Sequence, residues 1–114
     1  MCIRDRANLG AEIAKGDLSA IPPEFTQGAD VVLHMAGLIK APSEAAFFEV
    51  NESGTARLAQ SAAAANVARF IYLSSQAASQ PQLSGYAASK RAGEAALKTS
   101  YNGEYMIILS LIHI

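Results

Sequence analysis

The chain alternates short runs of consecutive apolar residues with longer stretches in which apolar positions recur every three or four residues. Residues 31–35 (VVLHM) and 70–73 (FIYL) are continuous apolar runs of the kind that a parallel sheet buries on both faces. Residues 11–15 give a weaker strand signal, and residues 104–108 begin a further strand. We therefore predict four short strands separated by helical sequence.

Two of the stretches between these runs have helical periodicity. The first begins after Pro42 with Ser43 as its N-cap and ends at Asn66, a residue that readily adopts the left-handed conformation. The second helix begins near Ser84. Strands that alternate with helices predict a parallel α/β sheet with right-handed crossover connections. The apolar stripe of the first helix consists of Phe47, Val50, Gly54, Leu58, Ala62 and Ala65.

Tyr86 and Lys90 lie four residues apart in the second helix, and this spacing places both on one face, one turn apart. Ser74 and Ser75 follow the apolar run 70–73 and are expected at the end of that strand. A hydroxyl facing a phenol and a fixed ammonium suits proton transfer to or from a carbinol, because the ammonium makes the phenol more acidic. The pattern alone leaves open a chance pairing on an exposed helix face.

Several segments of the chain, in their order along the sequence, resemble the motifs of one protein family. The segments are VVLHMAGL (31–38), NESGT (51–55) and YAASK (86–90), followed by Glu94. YAASK, preceded by a strand that ends in Ser75, resembles the Y-x-x-x-K signature of the short-chain dehydrogenase/reductase superfamily, and the other segments resemble its extended branch, the NAD-dependent epimerase/dehydratase family. The resemblance implies a partial Rossmann-type doubly wound parallel sheet, with the first two strands and a C-terminal substrate domain missing.

The resemblance implies catalytic roles for four residues. Tyr86 would act as the acid and base, and Lys90 would lower the pKa of Tyr86 and hold the cofactor ribose. Both residues thereby also count among the expected cofactor contacts. Ser75 would orient the substrate oxygen. Asn51 would support the lysine and a nearby water molecule, although its pattern alone fits a partly exposed asparagine equally well.

The resemblance also implies a site for NAD or NADP. Asp17 and Leu18 would lie beside the adenine ring, although a Gly-Asp pair by itself indicates only a turn. Met35, Ala36 and Gly37 would pass along the ribose and pyrophosphate, where small residues let a ligand approach the backbone. No G-x-x-G-x-x-G loop occurs in the chain, and the residue that discriminates NAD from NADP is absent with it, so the choice between them stays open.

Both ends of the chain translate one inverted repeat. Residues 1–5 (MCIRD) can be encoded by ATGTGTATAAGAGACAG, and the reverse complement of that string encodes LSLIH and begins the codon of Ile114. This sequence is the transposase end used in sequencing-library adapters. We therefore expect residues 1–6 and 109–114 to be adapter-derived, and residues 7–108 to be a partial dinucleotide-binding domain from a longer gene.

The residue composition excludes several kinds of catalytic and metal-binding site. Residues 7–108 contain no cysteine, and their single histidine, His34, lies inside a predicted strand, where a buried or edge position is more common than a catalytic one. Thiol catalysis, disulfides and a Cys/His metal site are therefore excluded, and no metal is expected.

The whole chain has 9 basic and 10 acidic residues, so no basic surface for binding nucleic acid is expected. No apolar run approaches the roughly 20 residues of a membrane helix, and a soluble cytoplasmic protein without a membrane partner is expected.

Three functions remain open from the sequence. The first is a fragment of an NAD(P)-dependent oxidoreductase, epimerase or dehydratase that acts on a small-molecule substrate, with a homodimer left open for the full-length parent. The second is a non-catalytic dinucleotide-binding subunit or redox-sensing regulator of the same fold. The third is a gene fragment without a function of its own. Only ten residues separate Ser75 from Tyr86, which is short for nucleotide-sugar enzymes and favours other carbonyl or hydroxyl substrates.

The strand order of this fold also predicts an open sheet edge. In the order 3-2-1-4-5-6, the two missing strands would lie between residues 11–15 and residues 31–35. We therefore expect the strand at 31–35 to have an unpaired edge and to expose both of its faces near that edge. The segment 11–15 should then either stand off the sheet or pair beside residues 31–35.

Overall fold

The computed structural model of the chain describes residues 16–38 and 40–110. The predicted strand at 11–15 and the terminal segment 1–6 lie outside the described residues, as do residues 111–114. Helices and strands alternate along the described chain, as predicted. The strands are β1 (Val31–His34), β2 (Arg69–Ser75) and β3 (Glu104–Ser110), the α-helices are α1 (Glu44–Phe48), α2 (Thr55–Ala64) and α3 (Gly85–Ser100), and short 3-10 turns lie at Pro23–Phe25, Gln76–Ser79 and Pro81–Leu83.

The three strands form one parallel sheet with β2 in its centre. Val31 pairs with Arg69, and Arg69 pairs with Glu104, so the first residues of the three strands are in register. Their carboxyl ends therefore meet at one edge of the sheet, which is the usual position of a ligand site in a parallel α/β fold. This architecture confirms the predicted partial Rossmann-type fold.

The predicted helix ends are confirmed. Ser43 caps α1 by accepting a hydrogen bond from the backbone N–H of Ala46 at 3.3 Å, and Ser84 caps α3 by accepting one from Ala87 at 3.0 Å. Asn66 follows α2 with a φ of 56°, the left-handed conformation that ends a helix. The cap of α3 fixes the position of its first turn, which carries the candidate catalytic tyrosine.

The first predicted helix is interrupted by a π-helical segment at Glu49–Gly54, which joins α1 to α2. At the end of this wide π-helical segment, the hydroxyl of Thr55 donates a hydrogen bond to the carbonyl of Asn51 at 2.8 Å, while the backbone N–H of Thr55 donates to the carbonyl of Glu52. The side chain thereby takes the carbonyl that the backbone N–H of Thr55 would use in an α-helix. Such wide turns are frequent at functional sites, and Asn51 lies inside this one.

One face of the sheet is buried under the described helices. Val32, Phe70 and Tyr72 project from this face into a core cluster that includes Leu58 of α2 and Leu97 of α3. Side chains from both long helices therefore cover the same face of β1 and β2. This packing holds α3 across the carboxyl end of β2.

The opposite face of the sheet is exposed. Leu33 and Met35 are 56% and 61% exposed, and Met106 of β3 is 59% exposed. The expectation that residues 31–35 are buried on both faces is therefore wrong, and the expectation that both faces are exposed is wrong as well, because alternate residues of β1 are buried. The reason is that the described helices pack on one side only. Among the described strands β1 pairs only with β2, and the segment 11–15, expected to stand off the sheet or to pair beside β1, lies outside the described residues.

Candidate active site

The candidate site lies at the carboxyl ends of β1 and β2, where α3 begins. β2 ends in the fully buried Ser75, the first turn of α3 carries Tyr86, and the next turn carries Lys90. Tyr86 and Lys90 line one small cavity of about 50 Å³ together with Met35 and Ser74. The hydroxyl of Ser75 is close enough to Tyr86 to favour its ionised phenol. The structure thus brings the predicted serine, tyrosine and lysine together.

Lys90 is almost completely buried, with 6% of its surface exposed. Its ammonium donates a hydrogen bond to the carbonyl of Leu73 at 3.2 Å and lies 4.7 Å from the centre of the Tyr72 ring. Burial lowers the pKa of Lys90 to about 8, although the nearby Glu94 carboxylate acts to raise it. Lys90 is therefore a fixed cation that is close to losing its proton above neutral pH.

Tyr86 is half-buried and packs edge-on against Phe47 of α1, with ring centres 5.9 Å apart. Burial raises the pKa of Tyr86, and the Ser75 hydroxyl lowers it by a smaller amount. The net direction is upward, so the phenol of this chain is protonated at neutral pH. The lowering of the Tyr86 pKa by Lys90, which the family resemblance implies, stays a prediction.

Asn51 is buried and joins three elements. Its side-chain oxygen accepts a hydrogen bond from the backbone N–H of Leu38 at 2.9 Å, and its amide nitrogen donates to the carbonyl of Leu38 at 3.1 Å and to the hydroxyl of Ser89 at 3.0 Å. Ser89 in turn donates to the carbonyl of Tyr86 at 2.8 Å. The partly exposed position that the pattern left open is thus wrong. Support of Lys90 by Asn51 stays a prediction, since the partners of its side chain are Leu38 and Ser89.

His34 lies in the buried face of β1, as its place in the strand predicts. Its ring stacks on Tyr72 at 4.9 Å, and its Nε2 lies 2.9 Å from the hydroxyl of Thr55. Because the single hydrogen of that hydroxyl is donated to Asn51, Nε2 donates and Thr55 accepts. Burial, aided by the positive charge of Lys90, lowers the pKa of His34 to about 4. His34 is therefore a neutral core residue beside the site.

A larger cleft of about 870 Å³ adjoins the carboxyl end of β1. Arg57 crosses one part of it, donating to the carbonyl of Leu18 at 2.9 Å and to the carboxylate of Glu49 at 2.7 Å. Asp17 is exposed, and its carboxylate accepts hydrogen bonds from the hydroxyl and backbone N–H of Ser19, which lower its pKa. Asp17 thus forms the turn that its sequence predicts. The cleft also contains the residues predicted to contact the cofactor, namely Asp17, Leu18, Met35, Ala36 and Gly37.

Gly37 marks the passage from this cleft to the candidate catalytic residues. A Cβ atom at this position would lie 2.9 Å from the side-chain oxygen of Asn51 and 3.7 Å from the ammonium of Lys90. A side chain here would collide with Asn51, so glycine lets Asn51 approach the backbone closely. Gly37 lines both the larger cleft and the small cavity at Tyr86 and Lys90.

The residues that hold the site together were not among the predicted site residues, apart from Asn51. Ser89 had a usable signal, because a serine three residues after Tyr86 in a helix can bond back to the tyrosine carbonyl. Thr55 and Tyr72 had none, since their partners lie on other elements. The bond from the hydroxyl of Ser74 to the carboxylate of Glu94, at 2.8 Å, also depends on packing between β2 and α3.

Two other features, a metal site and a membrane-spanning helix, are not formed by the described residues. Within the ranges 16–38 and 40–110, no group of three or more His, Cys, Asp or Glu side chains could hold a metal ion. No helix in this part of the chain is long and apolar enough to cross a membrane. The polar groups that converge at and beside the site are hydroxyl, phenol, amide, ammonium and carboxylate groups.

A parallel α/β sheet with a cleft along its carboxyl edge and a tyrosine and lysine on the adjoining helix defines a Rossmann-type domain. Residues 4–113 match the model of the NAD dependent epimerase/dehydratase family. The chain therefore belongs to the NAD-dependent epimerase/dehydratase family, which confirms the resemblance carried by its motifs.

Three known proteins that are similar to this chain are each much longer than it. A ceramide reductase of Caulobacter vibrioides is 48% identical over 95 residues, which cover 82% of this chain and 30% of that protein. A short-chain dehydrogenase/reductase superfamily protein from Agrobacterium tumefaciens with bound NAD is 27% identical, with a TM-score of 0.71 over 81% of this chain and 35% of that one. WbmH of Bordetella bronchiseptica in complex with NAD+ is 26% identical, with a TM-score of 0.62 over 68% and 31%. The chain thus spans about a third of the length of each relative.

Proposed function

We propose that the complete protein carrying this segment uses Ser75, Tyr86 and Lys90 to reduce a carbonyl group, or to oxidise the corresponding hydroxyl, with NAD or NADP. The observation that supports the proposal is the placement of these three side chains at one end of β2 and α3, beside the open cleft. Family membership and the NAD bound in the Agrobacterium and Bordetella relatives support the cofactor. The relation to a ceramide reductase favours carbonyl reduction over epimerisation or dehydration.

Each side chain has one part in the proposed reduction. A nicotinamide cofactor, when bound, would supply the hydride for the new C–H bond at the carbonyl carbon. Tyr86 donates its phenolic proton to the carbonyl oxygen, which becomes the hydroxyl as the C=O π bond breaks. Ser75 donates a hydrogen bond to the same oxygen and orients it. Lys90 stabilises the phenolate left on Tyr86 until a proton from solvent restores the phenol.

The electrostatics of the site suit this direction of reaction. A phenol whose pKa is raised by burial is protonated at neutral pH, and the protonated phenol is the form that gives a proton to a carbonyl. Oxidation of a hydroxyl requires the phenolate instead. The cationic Lys90 and the positive charge of an oxidised nicotinamide both favour that phenolate when the reaction runs in reverse.

The first prediction tests Tyr86 and Lys90 in the complete protein. We expect Tyr86→Phe to lower kcat by at least about a hundredfold, because only the hydroxyl moves a proton. Dinucleotide affinity should stay within about threefold, since the ring and the helix remain. Lys90→Ala should impair both turnover and affinity. Steady-state kinetics with a panel of aliphatic ketones, and calorimetric titration with NAD(H) and NADP(H), measure these effects.

The matched control is Tyr105→Phe, which removes the same hydroxyl from an exposed position in β3. Turnover of this variant should equal that of the unaltered protein. A Tyr86→Phe variant with a near-native rate would remove Tyr86 from the mechanism. Tight dinucleotide binding without turnover of any carbonyl or hydroxyl compound would instead favour the regulator that the sequence left open.

A further inference from the structure

Glu94 is a buried acidic residue that the proposed reaction does not use. It lies in α3 one turn after Lys90, and only 9% of its surface is exposed. Its carboxylate accepts a hydrogen bond from the hydroxyl of Ser74 at 2.8 Å, which ties α3 to the carboxyl end of β2. A carboxylate in such a position is costly unless a positive charge lies nearby. The buried ammonium of Lys90, one helical turn away, interacts electrostatically with Glu94.

The groups around Lys90 differ in the charge that they carry at neutral pH. From β1, His34 is neutral because its pKa is about 4, and from β2, Tyr72 is neutral because burial raises its pKa to about 12. From α3, Tyr86 is neutral because burial raises its pKa as well. The π-helical segment contributes the uncharged amide of Asn51. Among these described groups, Glu94 alone carries a carboxyl group.

We propose that Glu94 is a positioning residue for the proposed reaction, whose buried carboxylate keeps Lys90 protonated and holds the carboxyl end of β2 in place through Ser74. The inference rests on the proposed function, because the charge of Lys90 matters there for the phenolate of Tyr86 and for the cofactor ribose. The hydrogen bond of Glu94 to Ser74 directs its carboxylate towards the end of β2, beside the cavity that Ser74 and Lys90 both line.

The expected effect of removing the Glu94 carboxylate follows from the pKa of Lys90. Burial already brings the pKa of Lys90 down to about 8, with Glu94 acting in the opposite direction. Removal of the carboxylate charge therefore lowers the pKa of Lys90 further, towards neutrality. Lys90 then loses its proton inside the working pH range, and the phenolate of Tyr86 loses its stabilising charge.

The test compares Glu94→Gln with Ser74→Ala in the complete protein. Glutamine keeps the shape of the side chain and an oxygen that accepts the hydrogen bond from Ser74, but it removes the charge. We expect the alkaline limb of the kcat/KM profile to move to lower pH by about one unit in Glu94→Gln, because loss of a nearby opposite charge lowers the pKa of the ammonium. At pH 8 the rate should fall by up to about tenfold, and at pH 6.5 it should be nearly restored.

Ser74→Ala removes the hydrogen bond and keeps the charge, so its alkaline limb should stay at the pH of the unaltered protein. Glu94→Asp also keeps the charge, and it should retain the same alkaline limb if the shorter side chain still folds. An unmoved limb in Glu94→Gln, or an equal loss of rate at every pH in Glu94→Gln and Ser74→Ala, would show that Glu94 is only structural.

A second measurement separates this inference from the proposed function. The side-chain amines of isotopically labelled lysine can be titrated by NMR, and Lys90→Met identifies the signal of Lys90. Its titration midpoint should fall in Glu94→Gln and stay in Ser74→Ala, whether or not the protein reduces carbonyl compounds. If the protein is active and the midpoint of Lys90 does not shift in Glu94→Gln, the role of Glu94 is overturned and the proposed function stands. If the midpoint shifts but the Tyr86→Phe variant keeps full turnover, the proposed function is overturned and the electrostatic effect of Glu94 on Lys90 stands.

Discussion

At the scale of single residues, the site depends on buried polar groups that satisfy one another. His34 donates to Thr55, Thr55 donates to the carbonyl of Asn51, and the side chain of Asn51 donates to Ser89. Ser89 donates to the carbonyl of Tyr86, so the chain of hydrogen bonds runs from β1 to the start of α3. A buried network of this kind is stabilising only when each member has a partner, because an unpaired buried group keeps its full desolvation cost.

His34 makes the stability of the protein depend on pH. Its pKa is about 4 in the folded chain and 6.5 when exposed, so between these values the unfolded chain binds a proton that the folded chain does not. Since the unfolded state binds more protons, the free energy of unfolding falls as the pH drops from 6.5 to 4. We expect a loss of about 3 kcal/mol across this window. Urea unfolding of the complete protein at a series of pH values measures it.

His34→Gln is the control for this prediction. Its amide can still donate to Thr55, but it does not titrate. Between pH 6.5 and 5, where carboxylates remain ionised, this variant should lose much less stability than the unaltered protein. Equal losses in the two proteins would assign the pH dependence to groups other than His34.

At the scale of elements, the close approach of α3 to the π-helical segment decides the geometry of the site. A Cβ atom on Gly93 would lie 2.4 Å from the carbonyl oxygen of Asn51 and 2.7 Å from the hydroxyl of Tyr72. Glycine at this position lets two backbones approach closely, although it weakens the helix that contains it. The same contact sets the distance between Asn51 and Ser89, and hence the height of α3 over the sheet.

We expect Gly93→Ala to lower the free energy of unfolding of the complete protein by about 1–3 kcal/mol, the usual cost of overpacking. The new methyl group meets the backbone of Asn51, which cannot rotate away as a side chain can. Gly85→Ala is the matched control in the same helix. A Cβ atom there would meet the side chain of Glu44, which is flexible, so the change should be nearly neutral. Urea unfolding distinguishes the two, and equal stabilities would contradict the close contact.

At the scale of the whole molecule, the described sheet is covered on one face only. Apolar side chains of β1 and β3 remain exposed on the other face, and β1 has an edge that no described strand pairs with. An exposed apolar face with an open strand edge favours aggregation. β3 pairs in register as far as Ser110 opposite Ser75, within the segment proposed to be adapter-derived, because strand pairing requires only an extended backbone.

For the 114-residue chain expressed alone, we predict binding of NAD(H) and NADP(H) no tighter than millimolar, no dehydrogenase activity, and poor solubility or a molten state. The physical reasons are the exposed face and the lack of a Gly-rich phosphate loop in its sequence. Calorimetric titration with both cofactors and thermal unfolding test this prediction. A cooperative transition that rises with micromolar cofactor would show that the chain folds and binds as it stands.

Much of the fold followed from the sequence because its signals are local. The strands at Val31 and Phe70, the caps at Ser43 and Ser84 and the end of a helix at Asn66 each depend on a few neighbouring residues. Parallel pairing and the position of the site at the carboxyl edge then followed from strict alternation of strands and helices. The family followed from the order of its motifs.

The sequence by itself determined which groups are available: a serine at a strand end and a tyrosine and lysine one turn apart on a helix. Only the tertiary structure decided what surrounds them. Burial, which depends on how elements pack, raises the pKa of Tyr86 and lowers that of Lys90. Packing also gave the partners of Asn51 and Glu94 and left one face of the sheet exposed. These properties arise from contacts between residues distant in the chain, which periodicity and spacing do not encode.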